Sequence, residues 1–160
     1  MKYNLRNPEI KEHLIQAALQ WIREFDIDGL RLDAADVLDF DFMRELSVRC
    51  RNEKHDFWFV GEVVHGDYSR WIRDAHLNSV TNYESYKGAW SSFNDNNLFE
   101  IAYSLRRQFG QGGIYQQIPL YNFLDNHDVN RIASTLKCSE HLPLVYGLLS
   151  LSKLRVVSSP

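Results

Sequence analysis

Phe57-Trp58-Phe59-Val60-Gly61-Glu62 is the stretch on which the fold turns. Its first four residues are apolar on both faces, as in a strand covered on both sides within a parallel sheet, and it stops abruptly at a glycine and a carboxylate. Upstream, Asp28-Gly29 leads into a second short strand, Leu30-Arg31-Leu32-Asp33, that also ends on an acid. Before that strand, Asn7-Pro8 opens an amphipathic helix with apolar residues at Ile10, Leu14, Ile15, Ala18, Trp21, Ile22 and Phe25. Between the two strands, 41–51 reads as a helix with Phe42, Leu46 and Cys50 on one stripe.

Downstream, a short helix is expected near 68–75, a brief strand over 79–83, and a helix over 98–109 stopped by Gly110 with Gly112-Gly113. A last strand, Leu120-Tyr121-Asn122-Phe123-Leu124, runs into Asp125-Asn126-His127-Asp128, and a final helix covers 141–151. Strands that alternate with helices predict an α/β fold of parallel strands with crossover helices. The acids collect where the strands end, which is where (β/α) folds build their sites. No repeat or linker divides the 160 residues, so one domain over 1–160 is expected.

Composition narrows the function. A hydrophobic content of 44% supports a buried core, and a net charge of −3 with no Lys/Arg stripe excludes a nucleic-acid surface. No apolar run reaches the roughly 18 to 20 residues of a membrane span, and no charged and apolar leader opens the chain, so a cytoplasmic location is expected. Cys50 and Cys138 are isolated and imply neither a disulfide framework nor a zinc site. Gly110-Gln111-Gly112-Gly113 follows a helix and lacks a Gly-Lys-Ser/Thr sequel, so it is not a phosphate cradle.

Three places can carry chemistry. Strand alternation puts Arg31 and Asp33 on one side, where the guanidinium would keep Asp33 ionised as a nucleophile requires; an ordinary ion pair at a strand end is the competing reading. Glu62 shares its face with Trp58 and Val60 and precedes Val63-Val64, surroundings that favour a neutral, proton-donating acid; a Glu that has merely left the strand for solvent is the alternative. Asp125-Asn126-His127-Asp128 can hydrogen-bond a polyhydroxylated ligand and stabilise an oxocarbenium-like transition state. His65, His127 and Asp128 could instead hold a metal, although no recognisable ligand spacing accompanies them. Tyr83, Tyr86 and His65 are candidate sugar platforms.

Gly29-Leu30-Arg31-Leu32-Asp33-Ala34-Ala35, Phe59-Val60-Gly61-Glu62 and Phe123-Leu124-Asp125-Asn126-His127-Asp128 resemble, in order, the fourth-, fifth- and seventh-strand motifs of glycoside hydrolase family 13, the α-amylase family. The resemblance covers about 5–149 and implies part of a (β/α)8 TIM barrel that cleaves α-glucosidic bonds of starch or maltodextrin with retention. It implies Asp33 as nucleophile, Glu62 as acid/base and Asp128 as transition-state stabiliser, with Arg31 and His127 on the substrate and Arg131 in a structural pair; Asn126, His65 and Tyr83 are substrate-binding candidates from the reading of the residues alone.

The chain also departs from the family. Asp36-Val37 stands where many members carry a Lys-His pair that helps hold calcium, so the resemblance implies no cofactor here, and the third-strand Asp with its downstream Asn-His is absent. A complete barrel needs about 250 residues. The chain is therefore expected to be a truncated frame, beginning just before the fourth strand and leaving the family pattern after about residue 150. An unclosed barrel exposes strand edges, so the fragment is expected to be inactive alone, with no oligomeric state implied. A non-catalytic sugar-binding or interaction relic and a metal-dependent hydrolase are the alternative functions.

Overall fold

The computed structural model describes residues 3–151, which divide into two compact units, one ending at Val80 and one beginning at Thr81. The expected change of pattern after about residue 150 falls almost wholly outside the described residues.

The first unit runs α1 (Pro8–Phe25), β1 (Gly29–Leu32), a 3-10 turn (Ala35–Val37), α2 (Phe40–Glu53), β2 (Trp58–Gly61), α3 (Ser69–Ala75) and β3 (Ser79–Val80). Asn7 caps α1 by accepting from the Glu9 N–H at 2.9 Å, and Pro8 follows, where a missing N–H costs nothing. Asp26 closes the helix in the left-handed region (φ 50). Ile15, Ala18, Leu19 and Ile22 form its buried stripe, and Phe42, Met43, Leu46 and Cys50 form that of α2.

The three strands lie parallel in the order β1-β2-β3, with Gly29 opposite Trp58, Leu32 opposite Gly61, and Gly61 opposite Val80. Phe57, Phe59, Val63, Leu77 and Val80 fill the interior around them. The sheet is close-fitted at two glycines. A Cβ on Gly29 would stand 2.4 Å from the Trp58 carbonyl oxygen, and one on Gly61 would meet Leu77 Cδ1 at 2.7 Å. Gly61 therefore lets β2 lie close to Leu77 and Ala35 just before the chain reaches Glu62.

Ion pairs tie α1 to α2. Arg23 grips Glu53 through two hydrogen bonds of 2.8 and 2.7 Å, and Arg49 Nη2 donates to Glu12 Oε1 at 3.1 Å. The Arg49 guanidinium, helped by the Gln16 amide, pulls the Glu12 carboxyl from its ordinary 4.5 down to about 2. A carboxylate depressed in the folded state adds stability that is complete above its unfolded pKa and is lost as pH falls through the folded one. Arg49→Met is therefore expected to return Glu12 toward the ordinary range and to move acid unfolding to higher pH within the window from about 4.5 to about 2. Carboxyl-detected NMR titration with a circular-dichroism acid melt would check it; an unchanged Glu12 titration would contradict the assignment.

The second unit holds α4 (Tyr83–Asn94), α5 (Phe99–Phe109), α6 (Ile132–Thr135), a 3-10 turn (Ser139–His141) and α7 (Leu142–Leu151). Its core gathers Ala89, Ile101, Leu124, Ile132, Leu136 and Val145. Helix α4 has no counterpart in the sequence reading. Its buried face is made of Ser85, Gly88, Ala89, Ser91 and Ser92, small residues that bring α5 close: a Cβ on Gly88 would stand 3.3 Å from Ile101 Cα. The strand expected over 79–83 is correspondingly shorter, because Asn82 caps α4 by accepting from the Ser85 N–H at 3.1 Å.

The strand expected over 120–124 is corrected to one parallel bridge, Thr81 with Tyr121, supported by Asn82 N–H donating to the Tyr121 carbonyl at 2.9 Å. Side chains rather than a ladder hold this segment. The fully buried Asn82 donates from Nδ2 to Gln108 Oε1 at 2.8 Å and to Asn122 Oδ1 at 2.7 Å, and it accepts from Gln108 Nε2 at 3.3 Å. These amide bonds fix 121–123 against α5, and Asn122 Nδ2 is the one amide nitrogen of the three that stays buried without a partner among the described residues. Gly110 caps α5 as the sequence indicates.

Candidate active site

In the first unit, the acids sit where the strands end. Arg31 is the third residue of β1; its Nη1 lies 2.6 Å from Asp33 Oδ1 and its Nη2 lies 3.0 Å from Glu62 Oε1. One guanidinium thus holds an oxygen of each carboxyl, a two-armed use of its planar fork. The parallel register produces this. Leu32 is opposite Gly61, and the next residue on β2's side, Glu62, donates its N–H to the Leu32 carbonyl at 2.8 Å, so the residues that follow each strand emerge side by side.

The two carboxyls differ in setting. The Asp33 side chain is 74% exposed and reachable by a ligand, whereas that of Glu62 is 12% exposed. Apolar neighbours are only part of the Glu62 setting: besides Arg31, the Ala34 N–H donates to its Oε2 at 3.0 Å. Ala34 takes a left-handed conformation, φ 45 and ψ 44, immediately after Asp33. The sequence reading missed this contact, and no residue type signalled it, since alanine carries none of the usual marks of a left-handed position.

In the second unit, the 125–128 turn is organised by its own side chains. Asn126 Oδ1 accepts from the N–H groups of Asp128 (2.9 Å) and Val129 (3.1 Å), and its Nδ2 donates to the Tyr83 hydroxyl at 3.3 Å. Asp125 accepts from the Ile132 N–H and from Arg131 Nη1, each at 2.9 Å; these contacts, the backbone one first, hold its carboxyl below the usual range. Arg131 thereby has the structural pairing expected of it. His127 Nε2 lies 3.2 Å from Asp128 Oδ2, and both side chains stay open to solvent, at 67% and 49%.

The structure thus brings Arg31, Asp33 and Glu62 together in one unit and Tyr83, Asn126, His127 and Asp128 together in the other. Tyr83 is half-buried, edge-on to Tyr86 and Phe123 at 6.2 and 4.9 Å, and Tyr86 stacks on Phe123 at 5.1 Å, so these rings belong largely to local packing. His65 stands exposed between β2 and α3. Among the described residues, no group of three or more His, Cys, Asp or Glu side chains could hold a metal ion. No helix of the described residues is long and apolar enough to cross a membrane.

Parallel strands with crossover helices and acids at the strand ends are the arrangement of (β/α) folds, and the chain belongs to the α-amylase catalytic domain family, whose model matches residues 1–149. It is similar to the intracellular maltogenic amylase of Bacillus subtilis, with 31% identity over 141 residues, 87% of this chain and 24% of the relative. It is also similar to the cyclomaltodextrinase of Geobacillus thermopakistaniensis, with 33% identity over 82% of this chain and 22% of that protein. A solved cyclomaltodextrinase superposes with a TM-score of 0.75 at 30% identity, over 85% of this chain and 24% of that one. The fold is thus part of the family's barrel, and the chain spans about a quarter of the length of these relatives.

Proposed function

We propose that this chain carries the catalytic acids of a retaining glycoside hydrolase acting on α-glucosidic bonds of malto-oligosaccharides or cyclic maltodextrins. The observation that carries this reading is the Arg31 guanidinium bonded at once to Asp33 and Glu62. Two carboxyls on adjacent strand ends, one exposed and one nearly enclosed, match the division of labour that glycoside hydrolysis demands.

In this reading Asp33 attacks the anomeric carbon as Glu62 gives its proton to the leaving oxygen. Water then attacks the glycosyl-enzyme ester while Glu62 takes the water's proton. Asp128 stabilises the positive charge that develops on the ring, and His127, Asn126, His65 and Tyr83 contact the sugar hydroxyls. The relatives' names supply the substrate class, and the name of the Bacillus subtilis relative supports a cytoplasmic setting.

The stereochemistry tests it. Hydrolysis by the chain extended to the length of its relatives, followed by 1H NMR, is expected to release the α-anomer first, with the β-anomer appearing only by mutarotation. Initial β-anomer would mean inversion and a carboxyl separation of about 6.5 to 9.5 Å in place of about 5 to 5.5 Å.

A further inference from the structure

We infer that Ala34 is a positioning residue for Glu62, acting through its backbone N–H; this rests on the acid/base role proposed above for Glu62. The N–H reaches Glu62 Oε2, 3.0 Å away, from a left-handed backbone at φ 45 and ψ 44. Only glycine, asparagine and aspartate visit that region readily, so at an alanine the surroundings must hold it. They do so on the following residues: the Val37 N–H donates to the Ala34 carbonyl at 3.0 Å, and the carbonyl of fully buried Ala35 accepts from Trp71 Nε1 at 3.0 Å.

The consequence falls on the acid. The terminal torsion of a glutamate is broad, and a single partner leaves it so. Here one carboxyl oxygen is met by Arg31 Nη2 at 3.0 Å and the other by the Ala34 N–H, while the Glu62 N–H is bonded to the Leu32 carbonyl. Arg31 is shared with Asp33 and must adjust when Asp33 changes charge; the Ala34 amide is not shared in this way. Arg31 of β1 pairs with Glu62 and also with Asp33, the residue that follows β1.

The test follows the Ala34 amide proton of the 15N-labelled chain against pH. It is expected to move downfield as Glu62 ionises, with an inflection that survives Asp33→Asn and disappears in Glu62→Gln. No inflection in the unaltered chain, or one that persists in Glu62→Gln, would overturn the inference. This arm needs no turnover, so it is decided independently of the proposed function. The role is read by replacing the Ala34 amide with an ester. That change should lower kcat on maltotriose about ten- to hundredfold with KM unchanged, the size of a hydrogen bond to a charged group. It should leave the burst of fluoride release from α-maltosyl fluoride unaffected, since that leaving group needs no proton, while the later attack of water, for which Glu62 is the base, is slowed. Equal losses in that burst and on maltotriose would make Ala34 merely structural and overturn the positioning role. Because the chain spans about a quarter of its relatives' length, these rates are read in a chain extended to that length; absence of turnover there would count against the proposed function and let the amide titration alone decide.

Discussion

In the chain extended to the length of its relatives, Glu62→Gln is expected to lower kcat on a malto-oligosaccharide by roughly 100- to 10,000-fold, the usual contribution of a positioned general acid–base group, and Asp33→Asn by at least as much. Both replacements keep side-chain size and leave Arg31 an oxygen to bond, so the fold should persist. The two variants should differ in character. With the nucleophile gone, no substrate is turned over by the covalent route. With only the acid gone, a glycosyl fluoride should still form the glycosyl-enzyme, because fluoride departs unprotonated. Steady-state kinetics on both substrates read this directly, and near-normal turnover of maltotriose by either variant would remove that residue from the proposed role.

Phe59→Ala is expected to cost about 3–5 kcal/mol, as for other large-to-small changes at fully buried aromatic sites. Phe59 is 0% exposed, packs edge-on to Phe57 at 5.1 Å, and sits in β2 two residues before Gly61. Native domains have only about 5–15 kcal/mol in hand, so the variant should lose a large share of its stability. Val48→Ala on the exposed side of α2, where Val48 is 44% exposed, should stay within about 0.5 kcal/mol. Urea melts of the two variants compare them, and equal midpoints would contradict the placement of the core.

The first unit was largely legible. Pro8 after an Asn cap, apolar stripes at helical spacing, and Trp58 to Val60 apolar on both faces each name their own element, and the parallel sheet follows from them. The second unit was harder for a physical reason. Helix α4 buries serines, a glycine and an alanine, so its inner face carries almost none of the hydrophobic contrast by which a helix is recognised. Residues 120–124 carry the aromatics of a strand, yet their place depends on the Asn82, Gln108 and Asn122 amides, contacts across up to forty residues that no local pattern encodes. At the site, the pairing of Arg31 with Asp33 follows from strand alternation. Its second arm to Glu62 depends on the register of β1 against β2, and the Ala34 contact depends on a left-handed turn that alanine does not announce.

The central claim is that Asp33 forms the covalent bond to the sugar while Glu62 handles the proton. Incubation with a 5-fluoro-α-maltosyl fluoride, followed by proteolysis and mass mapping, tests it most directly. A single glycosyl adduct on Asp33, absent in Asp33→Asn and released on addition of an acceptor sugar, is the expected result. An adduct on Glu62 or elsewhere, or hydrolysis of maltotriose with no adduct at Asp33, would contradict it.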